Sequence, residues 1–420
     1  MAATSDDATA TLTVPAARTP TRRYEARRHA IIASAVTELN RRGMRGMTLG
    51  DVAARLDLVP TGVIYYFKNK EELAAACFMQ GIERFEALIA QGHAAGTDDK
   101  ARVRAFIRAF FAFKRDVAAG EAEQIAIFND VRALKNDAVN EAYIDMFRHA
   151  RDLITGPPGA ELPRSHRNAR THLMLAELSW SMAWISQSPA RDYGRVADRM
   201  GSILADGFIP PGGRWPRFGP LRLAPEDGGA TTSAEQFLRA ATRLINDEGY
   251  HGASVERISA KLNVSKGAFY HHNDTKDELV VACFRRTFEM VWRAIRGAEA
   301  EGGSGLKVLA QLSCALARYQ LVGDLPLLRT SALTTAPEAI QPELLREFER
   351  ISLRFASIIS DGIADGSIRP IDANVGAQMV NAMINAAAEL HAWAPGSTAD
   401  TAVGHYVRPL FEGLASPAAA

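Results

Sequence analysis

Cysteine is scarce in this chain of 420 residues. Its three cysteines, Cys77, Cys283 and Cys314, form no CxxC pair and stand among apolar residues. This usage argues against a disulfide framework and a structural zinc site, and it favours a reducing compartment. The sequence also lacks an apolar run of roughly 18–20 residues, which a membrane-spanning helix needs. Its start, MAATSDDATATLT, lacks the basic and then apolar order of a signal peptide, so we expect a cytoplasmic protein.

Signatures of catalysis and metal binding are absent as well. The sequence holds no GxSxG, no phosphate-binding glycine loop and no HExxH. His271 and His272 are adjacent, which on a helix points them about 100° apart, and no residues with metal-ligand spacing stand near them. We therefore predict that the chain is not an enzyme and holds no metal or cofactor. Overall charge gives no direction, since 49 basic and 48 acidic residues leave a net charge of +1.

The sequence does contain a repeat of domain size. Residues 48–73 read TLGDVAARLDLVPTGVIYYFKNKEEL, and residues 254–279 read SVERISAKLNVSKGAFYHHNDTKDEL, at a constant offset of 206 residues. Thr48 matches Ser254, and no insertion is needed over the span. Because a chain of this length suits two domains better than one, the repeat indicates a duplicated domain.

Each copy carries the pattern of a helix-turn-helix. In the first copy, helix 1 is expected over residues 24–42, where apolar residues recur with a helical period before Gly43. Thr48 is expected to cap a second helix. After a tight turn, Pro60 starts a short third helix that ends near Tyr66, in the position of the helix that enters a major groove.

These residues resemble the DNA-binding domain of the TetR/AcrR family of transcriptional regulators. The resemblance rests on TL..VAARL.L and YYFKNKEEL in the first copy and on NVSKGAFYHH in the second. The second copy keeps Ser265 as a helix cap and Gly267 at the family's glycine position, and departs later, at Asn273. The first copy has Val59 and Thr61 at the cap and glycine positions. The resemblance implies an all-α fold of two tandem TetR-like units, each a three-helix DNA-binding domain followed by a helical ligand and dimerisation domain.

One break divides the helical pattern of the rest of the chain. Residues 209–230 hold five prolines and five glycines, which forbids a continuous helix. Helical segments are expected on both sides of this break, including an amphipathic one over residues 121–134. The expected division is a disordered tail over 1–20, DNA-binding domains over 21–85 and 231–290, helical domains over 86–208 and 291–415, and a linker over 209–230.

The resemblance implies DNA contacts from both copies. Phosphate contacts are expected from Arg22, Arg23, Arg27, Arg28, Thr48, Thr61, Tyr65, Tyr66 and Lys70, and from Ser254, Ser265, His271, His272 and Lys276. Base contacts are expected from Pro60, Thr61 and Val63 and from Lys266, Ala268 and Phe269. Gly62, Gly267 and Tyr270 complete the expected interface. Apolar side chains among the base readers can touch only thymine methyl groups, and the aromatic residues could instead pack against the first helix.

The two copies differ in charge. Between Arg18 and Arg55 the first copy has nine arginines and three acidic residues, a local net charge of +6. Residues 231–276 have six basic and five acidic residues, a net charge of +1. Because contacts to phosphate make binding depend on salt, we expect the first motif to contribute more to the salt-dependent affinity.

Aromatic residues recur in the helices between the two motifs. Those that could line a pocket for a hydrophobic or aromatic effector are Phe106, Phe110, Phe113, Phe128, Trp180 and Trp184. Ordinary core packing is the alternative for each of them.

The family resemblance predicts a repressor that a small-molecule effector releases from double-stranded operator DNA. Members of this family act as homodimers, and this chain carries two such units, so an intrachain pseudo-dimer and a true homodimer both remain open. A second function also remains open. The chain could be a helical module that binds a ligand or a protein, with one or both helix-turn-helix motifs vestigial.

Overall fold

A computed structural model describes residues 21–128, 131, 134–156, 159–221, 223, 233–262, 275–322, 327–329, 332 and 339–417. Every regular element in these ranges is helical, and none of them contains a strand. The expected all-α class is therefore confirmed. The tail expected over residues 1–20 lies outside the described ranges and stays a prediction.

The first half of the chain begins with three helices packed against a fourth. The helices are α1 Arg22–Gly46, α2 Leu49–Ala54, α3 Pro60–Ile64, α4 Lys70–Ala95, α5 Asp99–Ala118, α6 Asp137–Arg151, α7 Arg164–Trp184 and α8 Tyr193–Asp206. Helices α1 to α3 form the expected small domain on the start of α4. Behind it, α5 lies between α4 and α8, and α6 packs on α4 and α7.

The second half repeats this plan in its described part. Its helices are α9 Ser233–Gly252, α10 Val255–Leu262, α11 Lys276–Glu301, α12 Gly305–Val322, α13 Gln341–Ala364, α14 Ala373–Ala386, α15 Leu390–Trp393, α16 Ala399–Ala402 and α17 Arg408–Glu412, with a π-helical segment Val403–Val407 between the last two. The helices keep the register of the repeat. For example, α4 and α11 have 26 residues each and start at Lys70 and Lys276.

The cap predicted at Thr48 is present, and a second cap stands at the start of α11. Thr48 accepts a hydrogen bond from the backbone N–H of Asp51 at 3.1 Å, and its hydroxyl donates to the Asp51 carboxylate at 2.7 Å. Thr275 and Glu278 form a full capping box at the start of α11. These bonds satisfy backbone N–H groups that have no partner within the first turn of a helix.

The two repeat cysteines are packed in the same way. The Cys77 thiol lies 3.8 Å from the carbonyl oxygen of Ile32, and the Cys283 thiol lies 3.7 Å from that of Leu238. Burial raises the pKa of Cys77 to about 12 and that of Cys283 to about 11. All three cysteines are free and buried. Cys77 and Cys283 therefore serve as small core residues that join the first helix of each unit to the fourth.

The helix predicted over residues 121–134 is wrong in its described part. Gly120 adopts a φ of 75°, and residues 123–127 are not helical. The Asn40 side chain on α1 instead donates to the carbonyl oxygen of Ile125 at 2.9 Å and accepts from the N–H of Ile127 at 2.8 Å. The described apolar residues of this segment are buried or half-buried, as the amphipathic pattern predicts. Its backbone, however, bonds to a side-chain amide of α1 in place of helical hydrogen bonds.

The described part of the expected linker is non-helical and docked. The N–H of Ile209 donates to the carbonyl oxygen of Phe411 at 3.0 Å. The Trp215 ring packs edge-on against the Phe411 ring at 5.4 Å, and Gln311 donates to the carbonyl oxygen of Gly219 at 3.0 Å. The segment therefore joins the halves by specific contacts. The domain boundaries themselves stay predictions.

The two halves meet through an interface whose contacts are reciprocal. Helix α7 packs on α14, and α8 packs on α17. Helix α7 also packs on the π-helical segment, and α8 packs on α14. Since α7 and α14 are repeat counterparts, as are α8 and the segment that ends in α17, each surface meets its own counterpart. An isologous dimer has this arrangement. Helix α1 also contacts α9, so the two small domains touch as well.

Two hydrogen bonds define the register of this interface. The His172 Nε2 atom lies 2.8 Å from the carbonyl oxygen of Ala386, and the Trp180 indole donates to the Gln378 side chain at 3.1 Å. The offset of the repeat converts position 172 into 378 and position 180 into 386. The two bonds therefore join the same pair of positions from opposite sides of a pseudo-two-fold axis.

The helix ends next to this axis require glycine. Gly207 and Gly413 are repeat counterparts with φ values of 71° and 94°. A side chain on Gly207 would overlap the carbonyl oxygen of Phe411, and one on Gly413 would come within 2.5 Å of the carbonyl oxygen of Ala205. Ala205 and Phe411 are themselves counterparts. The close crossing is thus symmetric and leaves no room for a Cβ atom on either side.

Two arginines secure the crossing with bonds to backbone carbonyls. Arg170, which is buried, donates to the carbonyl oxygens of Leu414 and Ser416 at 2.6 Å each. Arg369 donates from its side chain to the carbonyl oxygen of Gly207 at 2.7 Å. Charged donors of this kind form the stronger hydrogen bonds in proteins. Each half therefore binds the backbone that follows the last helix of the other half.

A buried carboxyl group on α7 also departs from the symmetry. Glu177 on α7 is 0% exposed, and neither of its carboxylate oxygens has a partner in the part of the chain that the structure describes. Its repeat counterpart is the buried Met383. Burial raises the pKa of Glu177 well above the usual range of a glutamate. The nearby Tyr406 donates its hydroxyl to the carbonyl oxygen of Met383 at 2.7 Å.

Gly207→Ala should loosen the pairing of the two halves. Gly212→Ala is the matched control, because Gly212 has a similar φ of 79° and no atom lies within 4 Å of the place where its Cβ atom would stand. We expect a loss of about 1 kcal/mol in the free energy of unfolding for the control and of about 3 kcal/mol or more for Gly207→Ala. Urea denaturation measures both. Equal losses would show that the crossing does not constrain position 207.

Glu177→Met should stabilise the chain at neutral pH. A carboxyl group in the unfolded chain ionises near pH ~4.3, whereas the folded group stays protonated to higher pH. The folded state therefore holds one more proton above that pH, and its stability falls as pH rises. We expect a gain of about 1–3 kcal/mol at pH 7 that shrinks towards pH 4.

Urea denaturation across this pH range tests the Glu177→Met prediction. Glu177→Gln is the control, since it removes the ionisation and keeps an unsatisfied polar group. It should remove the part of the pH dependence that Glu177 causes, with a smaller gain at pH 7. A Met variant no more stable than the original chain at pH 7 would contradict the expected cost of this buried group.

Candidate nucleic-acid interface

The first motif folds as a tight helix-turn-helix. The turn between α2 and α3 contains Asp57 at a φ of 53°, and the N–H of Leu58 donates to the carbonyl oxygen of Ala53 at 3.0 Å. Pro60 stands at the start of α3, where its missing N–H removes no hydrogen bond. The turn therefore orients α3 across α2, as the sequence predicted.

The structure separates the predicted base readers into exposed and buried residues. Pro60 and Thr61 are exposed, and Gly62 is half-buried. Val63 is 0% exposed and belongs to the core, so its prediction as a base reader is wrong. The helical period explains this, because Val63 lies on the face of α3 that packs on the domain.

Two exposed apolar residues were missed by sequence reasoning. Val59 is 66% exposed and Ile64 is 46% exposed, on the outer side of α3. Isoleucine and valine are usually buried in proteins, so their residue types do not indicate that they are exposed here. Only the packing of the neighbouring Val63 shows which face of the helix is outward.

Three tyrosines join the start of α1 to the end of α3. The ring of Tyr24 lies 4.8 Å from that of Tyr66 and 6.2 Å from that of Tyr65. Tyr65 is 74% exposed, whereas Tyr66 is half-buried. The cluster therefore contains rings that pack on each other and a ring that is exposed. Tyr65 presents its ring outward, and Tyr66 mainly supports the contact with α1.

The basic arm of α1 lies next to this cluster. Arg22, Arg23 and Arg27 are exposed and make no ion pair with the described residues. The guanidinium of Arg28 lies over the Phe67 ring at 5.1 Å, which anchors it beside α3. The first turn of α1 therefore offers positive charge on the same side of the domain as α3.

Part of the +6 charge counted in the sequence is neutralised. The buried Glu38 contacts Arg42 at 3.3 Å and Arg55 at 3.4 Å. Arg42 also contacts Asp51 at 2.9 Å. These arginines hold α1 on α2, so the charge available to an anion is concentrated in the arm of α1.

The shared register places Lys70 and Lys276 at equivalent helix starts. Lys70 is half-buried at the beginning of α4. Burial lowers the pKa of Lys276, and the adjacent Asp277 opposes this shift. Ser254 caps α10 by accepting from the N–H of Arg257 at 3.3 Å, as Thr48 caps α2.

The recognition segment of the second motif, residues 263–274, lies outside the described residues. The expected DNA contacts that fall on it are Ser265, Lys266, Gly267, Ala268, Phe269, Tyr270, His271 and His272. Their roles stay predictions. Of the second copy's expected contacts, the structure places Ser254 and Lys276.

The predicted pocket residues are divided among three places. Phe106, Phe110 and Phe113 are buried along α5. Phe128 packs on the rings of Phe85 and Tyr143, at 5.2 and 5.3 Å.

The two tryptophans lie towards the other half of the chain. Trp180 packs near Phe348 of the second half at 6.2 Å, and Trp184 is buried near the end of α7. The structure shows two surface depressions, of about 230 and 270 Å³, and neither is lined by any of the six predicted residues. Their role in binding an effector stays a prediction.

Among the described residues, no helix has the length and hydropathy that a membrane span requires. None of their histidines, cysteines and acidic residues form a group of three or more that could hold a metal ion.

The first motif has a tight turn, an outward second helix and a basic flank. These are the features of the helix-turn-helix class of DNA-binding domains. The family model described as "Bacterial regulatory proteins, tetR family" matches the chain twice, at residues 31–77 and 237–283. The chain therefore carries two TetR-type segments in tandem. The resemblance found in the sequence is confirmed.

Similar proteins match parts of the chain. The transposon Tn10 TetC protein of Escherichia coli is 37% identical over 57 residues, which cover 14% of this chain and 29% of TetC. The HTH-type transcriptional regulator LmrA of Bacillus subtilis (strain 168) is 27% identical over 172 residues, covering 40% of this chain and 89% of LmrA. The crystal structure of AibR in complex with isovaleryl coenzyme A and operator DNA shares 18% identity and a TM-score of 0.36, covering 44% of this chain and 99% of AibR. Each of these matches covers less than half of the chain.

Val59→Ser should stabilise the first motif. Val59 occupies the cap position of α3 and makes no side-chain hydrogen bond to the helix. A serine hydroxyl there would accept from a backbone N–H of the first turn, which is worth about 0.5–1 kcal/mol. Urea denaturation measures the gain. Val59→Ala is the control, because it removes the same exposed apolar surface without supplying a cap, and equal stability of the two variants would refute the prediction.

Proposed function

We propose that the chain is a transcriptional repressor that binds operator DNA as an intrachain pseudo-dimer and is released by a small-molecule effector. The reciprocal interface between α7–α8 and α14–α17 carries this proposal. It supplies within one chain the pairing that a regulator with a single motif obtains from a second subunit. The repressor acts in the cytoplasm, without catalysis and without a cofactor.

The two motifs read unlike half-sites. A pair of helix-turn-helix motifs contacts half-sites about 34–36 Å apart, one turn of the double helix. Here the first motif has an exposed arginine arm, Arg22, Arg23 and Arg27, and the second motif lacks its counterpart. The operator is therefore an imperfect palindrome, and the first motif supplies more of the salt-dependent affinity.

The first helical domain holds the effector. A row of aromatic rings runs from the core of this domain to the second half, with centroid distances of 5.2 Å from Phe85 to Phe128, 5.3 Å from Phe128 to Tyr143 and 5.5 Å from Tyr143 to Trp393. Phe128 follows the segment that Asn40 of α1 holds by two hydrogen bonds.

This contact route supports coupling between the effector and DNA. A hydrophobic or aromatic effector that displaces Phe128 shifts α1 and the pairing of the halves together. The spacing of the two motifs then no longer matches the operator.

DNA retardation tests the proposal. We expect specific binding to the DNA upstream of the chain's own gene, with an affinity that falls steeply as salt rises. Replacing Arg22 and Arg23 by alanine should lower the slope of log affinity against log salt by up to about 2, and more than Lys266→Ala does. Arg296→Ala is the control, because Arg296 is exposed on α11 away from the motifs.

The mass of the complex tests the pseudo-dimer. We expect one chain of 45.6 kDa per operator duplex. A stable species of about 91 kDa, twice the mass of the chain, contradicts the pseudo-dimer and supports a homodimer with four motifs. No binding to any duplex at low salt contradicts DNA binding and supports the alternative module with vestigial motifs.

A further inference from the structure

The outward side of α3 carries no group that can read guanine or adenine by paired hydrogen bonds. The helix sequence is PTGVI, and its cap residue is Val59. Such readout of the major groove needs arginine, lysine, asparagine or glutamine on the recognition helix. The exposed residues here are Val59, Pro60, Thr61, Ile64 and Tyr65, which are mainly apolar.

We call these five residues the apolar face of the first motif. Val59, Ile64 and Tyr65 are 66%, 46% and 74% exposed. Single exposed apolar side chains are common on protein surfaces, whereas several of them on one short helix indicate a contact surface. The face is therefore expected to have an occupant.

Charge around the apolar face indicates that occupant. Tyr65 packs edge-on against Tyr24, and the exposed Arg22 and Arg23 directly precede Tyr24 on α1. Lys68, on the other side of Tyr65 along the chain, is exposed as well. A neutral centre with a basic rim fits the major groove, where phosphates line both edges and the base pairs form an uncharged floor.

Among the base-pair edges in the major groove, the apolar group is the 5-methyl group of thymine. We propose that the first motif selects its half-site by packing Val59, Pro60, Ile64 and Tyr65 against thymine methyl groups. This inference rests on the proposed DNA-binding function and specifies its ligand, a half-site rich in A·T pairs. Thr61 is left as the hydroxyl that can bond to either a base or a phosphate.

Replacement of thymine by deoxyuridine tests the inference, because it removes the methyl group and keeps the hydrogen-bonding edge. The probe is the upstream duplex whose migration the chain retards, with deoxyuridine placed in one half-site at a time. We expect the affinity to fall about fourfold for each contacted methyl group in the half-site of the first motif.

Two variants assign the effect to the apolar face. Ile64→Ala should bind the thymine duplex more weakly and lose part of the discrimination between thymine and deoxyuridine. Leu345→Ala is the matched control, since Leu345 on α13 is 47% exposed, close to the 46% of Ile64. It should keep the full discrimination.

The outcomes separate this inference from the function on which it rests. Specific binding without any loss on deoxyuridine replacement overturns the inference and leaves the DNA-binding function intact. A loss that Ile64→Ala does not change also overturns it, because the methyl groups are then read elsewhere. If the chain retards no duplex, both the inference and the DNA-binding function fail. The apolar face is then left as a surface for a protein partner.

Discussion

The close crossing of the helix ends at Gly207 and Gly413 is the constraint on which the arrangement of the two halves depends. Each glycine lies against a backbone carbonyl of the other half, and each has a φ that disfavours other residues. Because the crossing is reciprocal, it fixes α8 against α17 and thereby α7 against α14. Arg170 and Arg369 then hold the crossing by bonds to backbone carbonyls.

Both halves share this frame, although individual buried and exposed residues differ between them. Some buried positions keep the same contacts in both halves, as the two cysteine–carbonyl pairs show. Glu177 has no acidic counterpart in the second half, and the arginine arm of α1 has no basic counterpart there. A single chain can maintain such differences, because its two halves need not be identical as the subunits of a homodimer must be.

Sequence reasoning succeeded where local physics decides. The helix cap at Thr48 and the non-helical backbone of Gly43, whose φ is 68°, depend on residues within one turn of each other, so the pattern predicts them. It failed where distant residues decide. Hydrogen bonds to the Asn40 side chain take the place of the helical bonds expected over residues 121–134. The packing of α3 buries Val63 and leaves Ile64 exposed.

The sequence by itself determined that this protein has two tandem helix-turn-helix units and that the first is the more basic. The repeat and its helical periods are carried by near neighbours in the chain, which makes them readable without coordinates. Only the tertiary structure decided how the halves pair, which arginines remain exposed and which face of α3 points outward. These features arise from contacts between residues far apart in sequence, such as Glu38 with Arg55 and Gly207 with Phe411.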